Sequence, residues 1–226
     1  MSQRLAGKAI FLTHADRYMG PAIRTRFEAE GARVQVSTER PRSAEAGEAL
    51  LDNVESLDVL VANLAFPPQP ALVDAIEDGD WHALFDHLVH PLMGLLRGAA
   101  KRMKAAGGGR IIAVTSAAPL RGIPKNGAYC AARGAQNAFL RAAGLELARD
   151  HIAVAAIAQN YIENDTYYPP ELLKDERFLS RMREVVPAQH IGDPKATADL
   201  ALFLATEAQF MPGQIFPLSG GWTTTL

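Results

Sequence analysis

Three residues of this chain have side chains and a spacing that suit proton transfer: Ser116, Tyr129 and Arg133. Tyr129 and Arg133 are four residues apart in a stretch of helical composition, so they share one helix face. Ser116 follows an apolar run, residues 111–114, that is typical of a buried parallel strand. We interpret the three as a catalytic group above that strand end. The Arg133 charge favours the phenolate form of Tyr129, which acts as general base, while Ser116 hydrogen-bonds a substrate oxygen.

Strands and helices alternate along the chain that must position this group. Apolar runs predict strands at residues 8–13, 34–37, 57–62, 111–114, 152–158 and 214–218. Helical patterns predict helices at residues 20–30, 43–55, 71–77, 80–106, 171–186 and 194–209, and a further helix after Gly127. Pro91 is expected to kink or divide the helix at residues 80–106. The alternation predicts one Rossmann-like α/β domain over residues 1–226. Its doubly wound, mostly parallel seven-stranded sheet would carry helices on both faces.

The carboxyl ends of these strands are where such a sheet binds ligands. His14, Asn63, Ser116 and Asn160 all follow apolar runs, so we expect them to line one crevice.

Composition excludes several classes of function. The 226 residues are 48% hydrophobic with a formal net charge of −2, which predicts one full core and no nucleic-acid or membrane-surface partner. The lone cysteine, Cys130, excludes an internal disulfide and fits a reducing compartment. The N-terminus lacks the apolar segment of a signal peptide and no run could span a membrane, so we expect a cytoplasmic protein. His82, His87 and His90 lack the spacing of a zinc-binding pair, and we predict no metal.

Ser116 and Tyr129, with Asn63 after the third apolar run and the closing stretch GQIFPLSGGW, resemble the short-chain dehydrogenase/reductase superfamily over essentially the whole chain. The resemblance implies a lysine where Arg133 stands and a glycine-rich turn after the first strand. In that turn His14 and Tyr18 replace glycines that would let backbone approach a pyrophosphate. We therefore expect no dinucleotide cofactor. The alternative is that Tyr18 swings outward and leaves a usable site.

The Ser-Tyr-Arg group, together with Thr13, Tyr18 and Gly20, resembles the halohydrin dehalogenases, cofactor-independent relatives of the dehydrogenases. The resemblance implies conversion of vicinal haloalcohols to epoxides plus halide, and the reverse opening of epoxides by small anions. It also implies a halide pocket, formed here by Tyr18, Gln159, Asn160, Tyr161 and Ile162. Members of that family often have proline at the position of Gln159.

Three loops carry candidate apolar contacts for the substrate: Phe66, Pro67, Ala118, Pro119, Ile123, Tyr167 and Tyr168. For each of these residues, packing within the protein is an equal alternative. Small residues such as Gly94 and Gly98 on the two longest helices permit close helix approach, and the superfamily commonly pairs such helices between subunits. We therefore expect a homo-oligomer, either a dimer or a tetramer. Trp222 is expected either to reach a neighbouring subunit's site or to be buried in its own.

Two other functions remain open. An NAD(P)-dependent oxidoreductase with an atypical turn would need a ribose partner from Ser37, Thr38 or Glu39, at the end of the second strand. A catalytically silent binding module would tolerate replacement of every residue of the Ser-Tyr-Arg group, since a fold does not determine a function.

Overall fold

Six parallel strands form the sheet around which the chain folds. The computed structural model describes residues 3–224, with strands β1 (Ala9–Leu12), β2 (Arg33–Val36), β3 (Val59–Asn63), β4 (Gly109–Ser116), β5 (Ile152–Gln159) and β6 (Gln214–Leu218). Their order is β2-β1-β3-β4-β5-β6, and every neighbouring pair is parallel. The predicted fold class is confirmed, but the predicted count of seven strands is wrong. After β6 the chain turns at Gly220 and Gly221, both with positive φ, and residues 3–224 contain no seventh strand.

Helices cover both faces of the sheet: α1 (Gly20–Ala29), α2 (Ala44–Ala49), α3 (Asp78–Leu88), α4 (His90–Ala106), α5 (Ala118–Arg121), α6 (Gly127–Leu147), α7 (Glu176–Val185) and α8 (Pro194–Thr206). The predicted division near Pro91 is confirmed, because α3 ends and α4 begins on either side of Val89. The predicted helix at residues 71–77 is wrong apart from a 3₁₀ turn at Val73–Ala75. Ala71 there donates to the Lys125 carbonyl and forms an isolated β-bridge with Asn126.

The two faces of the sheet bury two separate cores. On one face Leu60, Ile111 and Val154 pack in a cluster that includes residues of α3, α4 and α6. On the other face Val61 and Ile112 pack in a cluster that includes residues of α1 and α8. Because successive strand residues point to opposite faces, a strand buried on both sides is apolar throughout, which explains the continuous apolar runs.

Two of the glycines expected to permit close helix approach lie against another helix of the same chain. A Cβ on Gly94 would lie 1.8 Å from the Ala44 carbonyl oxygen, and one on Gly98 would lie 3.0 Å from Leu51. Both glycines therefore bring α4 close to α2 of the same chain. The homo-oligomer stays a prediction, but Gly94 and Gly98 are no longer among the reasons to expect it.

The carboxyl ends of β1, β3, β4 and β5 meet at one edge of the sheet. The chain winds from β1 outward to β2, then returns to add β3 on the other side, so a crevice opens where the winding reverses. His14, Asn63, Ser116 and Asn160 follow or end these strands, as predicted. None of the helices within residues 3–224 has the length and apolar character needed to cross a membrane.

Candidate active site

Ser116 and Tyr129 open onto the same cavity, which has a volume of about 240 Å³. Ser116 is the last residue of β4, and its Oγ accepts a hydrogen bond from the Ala118 N–H at 3.1 Å. Asn137 of α6 donates to the Ser116 carbonyl oxygen at 3.2 Å, which ties the strand end to the helix that carries Tyr129. The serine O–H therefore remains available to a ligand in the cavity.

Arg133 lies behind Tyr129 and is fully buried, with 0% of its surface exposed. One turn of α6 separates the two residues, and Arg133 Nε donates to the Tyr129 hydroxyl at 3.1 Å. Nη1 donates to the Leu64 carbonyl and to Gln136 Oε1, at 3.1 and 2.9 Å. Within residues 3–224 it forms no ion pair with a carboxylate. Burial lowers the pKa of Arg133, but the nearby phenolic oxygens outweigh it and hold that pKa above its usual range.

Tyr167 completes the environment of the Arg133 guanidinium. Its hydroxyl accepts from Arg133 Nη2 at 2.7 Å and from the Phe66 N–H at 3.2 Å, and it donates to the Phe66 carbonyl at 2.9 Å. Burial raises the pKa of the Tyr167 phenol well above its usual value, although the Arg133 charge opposes the shift. Tyr167 was predicted only as an apolar contact for substrate, and it also hydrogen-bonds the guanidinium that contacts Tyr129.

The turn after β1 directs Tyr18 into the crevice. Its backbone has φ of 57°, its ring meets that of Tyr167 edge-on at 5.3 Å, and only 7% of the residue is exposed. The Tyr18 hydroxyl donates to the Thr115 carbonyl at 3.3 Å, and its N–H donates to Asp165 Oδ1 at 3.0 Å. The Tyr18 ring therefore points inward in this structure, not outward. Burial raises the pKa of the Tyr18 phenol, while the Arg133 charge opposes that rise.

His14 supports this turn from inside the protein. Its Nδ1 accepts from the Ala65 N–H at 3.4 Å, and its backbone carbonyl accepts from Asn63 Nδ2 at 3.1 Å. Burial, reinforced by the Arg40 charge, lowers the pKa of His14 to about 3, so the imidazole is neutral. His14 does not line the cavity, and its position is that of a residue that holds the turn.

The cavity unites most of the predicted site residues: Tyr18, Ser116, Ala118, Ile123, Tyr129, Gln159, Asn160, Ile162, Tyr167 and Tyr168. Five others lie outside its lining, and one of them is Arg133, which lies behind Tyr129. Tyr161 stacks on Tyr168 with ring centres 5.5 Å apart, and Phe66 stacks on His87 at 4.1 Å. Pro67 belongs to the loop after β3, and Pro119 approaches Gly134 of α6. Trp222 is buried within its own chain against Ala117, Met182 and Val186.

Four residues that line the cavity were missed by sequence reasoning: Pro68, Asn126, Asn164 and Thr166. Asn164 shapes the loop after β5, because its Oδ1 accepts from the N–H groups of Thr166 and Tyr167 at 3.0 and 2.7 Å. This turn presents Tyr167 to Arg133. The adjacent Asn, Asp and Thr in the sequence are the signal that could have identified the turn.

The turn after β1 presents the Tyr18 ring where the superfamily has a glycine. The cavity beside it has a volume of about 240 Å³ and Tyr18 forms part of its lining, whereas pockets for drug-sized ligands span roughly 300–1,000 Å³. The one remaining glycine of the turn, Gly20, has a packing role, since a Cβ there would lie 2.4 Å from the His14 carbonyl oxygen. Within residues 3–224 no cluster of His, Cys, Asp or Glu side chains could hold a metal ion.

Comparisons with known proteins place this geometry in a family. Residues 9–223 match the family model described as Enoyl-(Acyl carrier protein) reductase. The chain is 30% identical to a sorbitol dehydrogenase of Cereibacter sphaeroides, covering 96% of this chain and 98% of the relative. It also resembles two solved structures. The first is described as a dehalogenation enzyme, with 28% identity, a TM-score of 0.88 and coverage of 96% and 98% of the two chains.

The second is a halohydrin dehalogenase bound to ethyl (2S)-oxiran-2-ylacetate, with 25% identity, a TM-score of 0.87 and coverage of 95% and 96%. The family match spans nearly the whole sequence, and the six-stranded parallel sheet carries Ser116 and Tyr129 at its carboxyl edge. The chain therefore belongs to the short-chain dehydrogenase/reductase superfamily.

Proposed function

We propose that this protein is a halohydrin dehalogenase, which converts vicinal haloalcohols to epoxides plus halide without a nicotinamide cofactor and opens epoxides with small anions in reverse. The observation that carries the proposal is the inward Tyr18 ring, which meets Tyr167 at 5.3 Å and lines the cavity onto which Ser116 and Tyr129 open. The space beside Ser116 and Tyr129 then suits a small molecule and an anion. The similarity to two dehalogenase structures supports the same activity.

The first step is removal of the substrate hydroxyl proton. Ser116 donates its O–H to the substrate oxygen, and Tyr129, as phenolate, takes the proton from that oxygen. Arg133 stabilises the phenolate through the 3.1 Å contact of its Nε with the Tyr129 hydroxyl. At an effective dielectric constant near 20, unit charges about 4 Å apart interact by about 4 kcal/mol. Because no carboxylate within residues 3–224 pairs with it, the buried Arg133 charge acts on the phenolate and on the alkoxide that forms.

The second step closes the epoxide. The alkoxide oxygen forms a bond to the neighbouring carbon from the side opposite the halogen, and the carbon–halogen bond breaks with its electron pair leaving on the halide. In this proposal the halide lies among Tyr18, Gln159, Asn160 and Ile162. In reverse, the anion attacks the epoxide carbon, the carbon–oxygen bond breaks, and Tyr129 returns the proton to the oxygen.

Bromide release from a simple vicinal bromohydrin tests the proposal. We expect release in the absence of NAD(P) and a loss of about 10²–10⁴-fold in Tyr129→Phe, the range typical of a general base. Cys130→Ala, on the next residue of α6, serves as the control and should retain activity. Circular dichroism checks that each variant is folded. A dependence of bromide release on NAD(P), or full activity in Tyr129→Phe, would refute the proposal.

An NAD(P)-dependent oxidoreductase is the second candidate, favoured by the 30% identity to a sorbitol dehydrogenase. Arg40 lies just after β2, where an arginine can accommodate the 2′-phosphate of NADP, and it forms an ion pair with Asp16 at 2.8 Å. This function requires Tyr18 to leave the crevice. A thermal shift on addition of NADPH, together with alcohol-dependent reduction of NADP, would favour it over the dehalogenase.

A further inference from the structure

The Gln159 side chain is held in one orientation by helix α8. Gln159 ends β5 and is only 4% exposed, and its Oε1 accepts a hydrogen bond from the hydroxyl of Thr197 at 2.8 Å. Thr197 itself is fully buried on α8. Because the carbonyl end of the amide is bound to α8, its NH₂ group faces the other way.

Tyr18 lines the same cavity as Gln159 and fits the same orientation of that amide. The Tyr18 hydroxyl donates its proton to the Thr115 carbonyl, so its oxygen is left as an acceptor. A reversed amide would turn a second acceptor oxygen toward the cavity and leave the Thr197 hydroxyl without its acceptor. The NH₂ group is therefore the end of the Gln159 amide that is left for a ligand in the cavity.

The side-chain oxygen of the neighbouring Asn160 is already occupied. Asn160 Oδ1 accepts from the Tyr161 N–H at 3.0 Å and from the Tyr168 hydroxyl. That bond uses the Tyr168 proton. Among the residues assigned to the anion, Gln159 and Asn160 both carry side-chain N–H donors, and the Gln159 amide is the one that Thr197 of α8 orients.

We propose that Gln159 is a specificity-determining residue whose amide N–H, oriented by Thr197, binds the anion and makes the pocket prefer small anions with localised acceptor atoms over bromide. Nitrite is the test case: its oxygens accept directional hydrogen bonds, whereas the charge of bromide is diffuse. The halohydrin dehalogenase pattern often has proline at this position, and proline has no N–H to donate. The preference is thus a property of this chain, and the inference rests on the proposed dehalogenase function.

Isothermal titration calorimetry with sodium nitrite and sodium bromide, at constant ionic strength, tests the preference. A hydrogen bond to a charged group is worth about 1.5–3 kcal/mol, which corresponds to about 10–100-fold in affinity. We expect Gln159→Leu to lose nitrite affinity by about that factor while bromide affinity changes less than about threefold. Thr197→Val leaves Gln159 in place but removes the hydroxyl that orients it, and should lose part of the nitrite affinity. Thr25→Val makes the same substitution at an exposed position of α1, so it is the matched control and should behave as wild type.

The outcomes separate the two proposals. An unchanged nitrite-to-bromide ratio in both Gln159→Leu and Thr197→Val overturns the role of Gln159, while bromide release by the wild type would leave the dehalogenase function standing. A wild type that binds neither anion and releases no bromide overturns both. Should Gln159→Leu fail to fold, Thr197→Val alone decides, because it acts on the amide from α8.

Discussion

Two regions at the carboxyl edge of the sheet reach the same cavity by different means. The β4–α6 region presents Ser116 and Tyr129 from a strand end and a long helix, and one helical turn sets Tyr129 against Arg133. The turn after β1 presents Tyr18 from a backbone in the left-handed region, with φ of 57°, and His14 precedes it with φ of 45°. Non-glycine residues rarely adopt this conformation, which costs roughly 1–2 kcal/mol each.

The difference shows where regular structure suffices and where tertiary contacts must hold a strained conformation. In the turn, Asn63 Nδ2 donates to the carbonyls of His14 and Arg17, and Asp165 accepts from the Tyr18 N–H. Several hydrogen bonds thus hold the backbone of this turn, and together they stabilise it in an unfavourable φ. Tyr167 joins the two regions, because its ring contacts Tyr18 and its hydroxyl accepts from Arg133.

The largest effect is expected from replacement of Arg133, which tests the β4–α6 region. Arg133→Gln removes the buried positive charge beside Tyr129, so bromide release should fall by about 10²–10⁴-fold. Arg133→Lys keeps the charge but not the planar set of donors, and should give an intermediate rate. Arg141→Gln, two turns along α6 and exposed, is the control and should match wild type. Wild-type rates in Arg133→Gln would show that the cation has no part in the reaction.

Replacement of Tyr18 tests the other region, the turn after β1. Tyr18→Ala removes a buried ring and should lower the free energy of unfolding by about 3–5 kcal/mol. Tyr18→Gly should be about 1 kcal/mol more stable than Tyr18→Ala, because glycine tolerates the positive φ. Urea unfolding followed by circular dichroism measures both variants. The opposite ranking would contradict the strain assigned to this backbone.

The same glycine variant sharpens the comparison with the dehydrogenases. If the Tyr18 ring excludes the dinucleotide, Tyr18→Gly should bind NADH at least about tenfold more tightly than wild type, measured by calorimetry. Tight NADH binding by the wild type would favour the oxidoreductase instead.

A smaller effect is expected on the free energy of unfolding when the pH is lowered, through the protonation of His14. Its pKa of about 3 in the folded chain lies below the 6.5 of the unfolded chain, so between these values only the unfolded state carries the proton. Stability from the neutral imidazole is therefore complete above pH 6.5 and is lost as pH falls, by about 1.4 kcal/mol per pH unit. Between pH 6.5 and 5 the loss should reach about 2 kcal/mol.

His14→Asn removes this titration, and asparagine tolerates the positive φ. The variant should lose about 2 kcal/mol less than wild type between pH 6.5 and 5, as measured by urea unfolding at each pH. The exposed His82→Asn serves as control and should follow wild type. An equal pH dependence in all three proteins would show that His14 is not the group that titrates.

Much of the fold followed from pattern alone. Continuous apolar runs identified the parallel strands, because strands buried on both faces have no polar side, and Pro91 located the break between α3 and α4. The helix predicted at residues 71–77 was wrong: Ala71 forms a β-bridge with the distant Asn126, and only a 3₁₀ turn follows at Val73–Ala75. Local sequence contains no record of such a partner.

For the candidate site, the sequence by itself determined which groups share a helix face and which follow a strand end, since both depend only on the periods of regular structure. It thus brought Ser116, Tyr129 and Arg133 together. Only the tertiary structure decided that the Tyr18 ring points inward, that Tyr167 hydrogen-bonds Arg133, and that Thr197 orients Gln159. Each of these joins residues from separate loops or helices, where side-chain direction depends on packing between elements that no local period encodes.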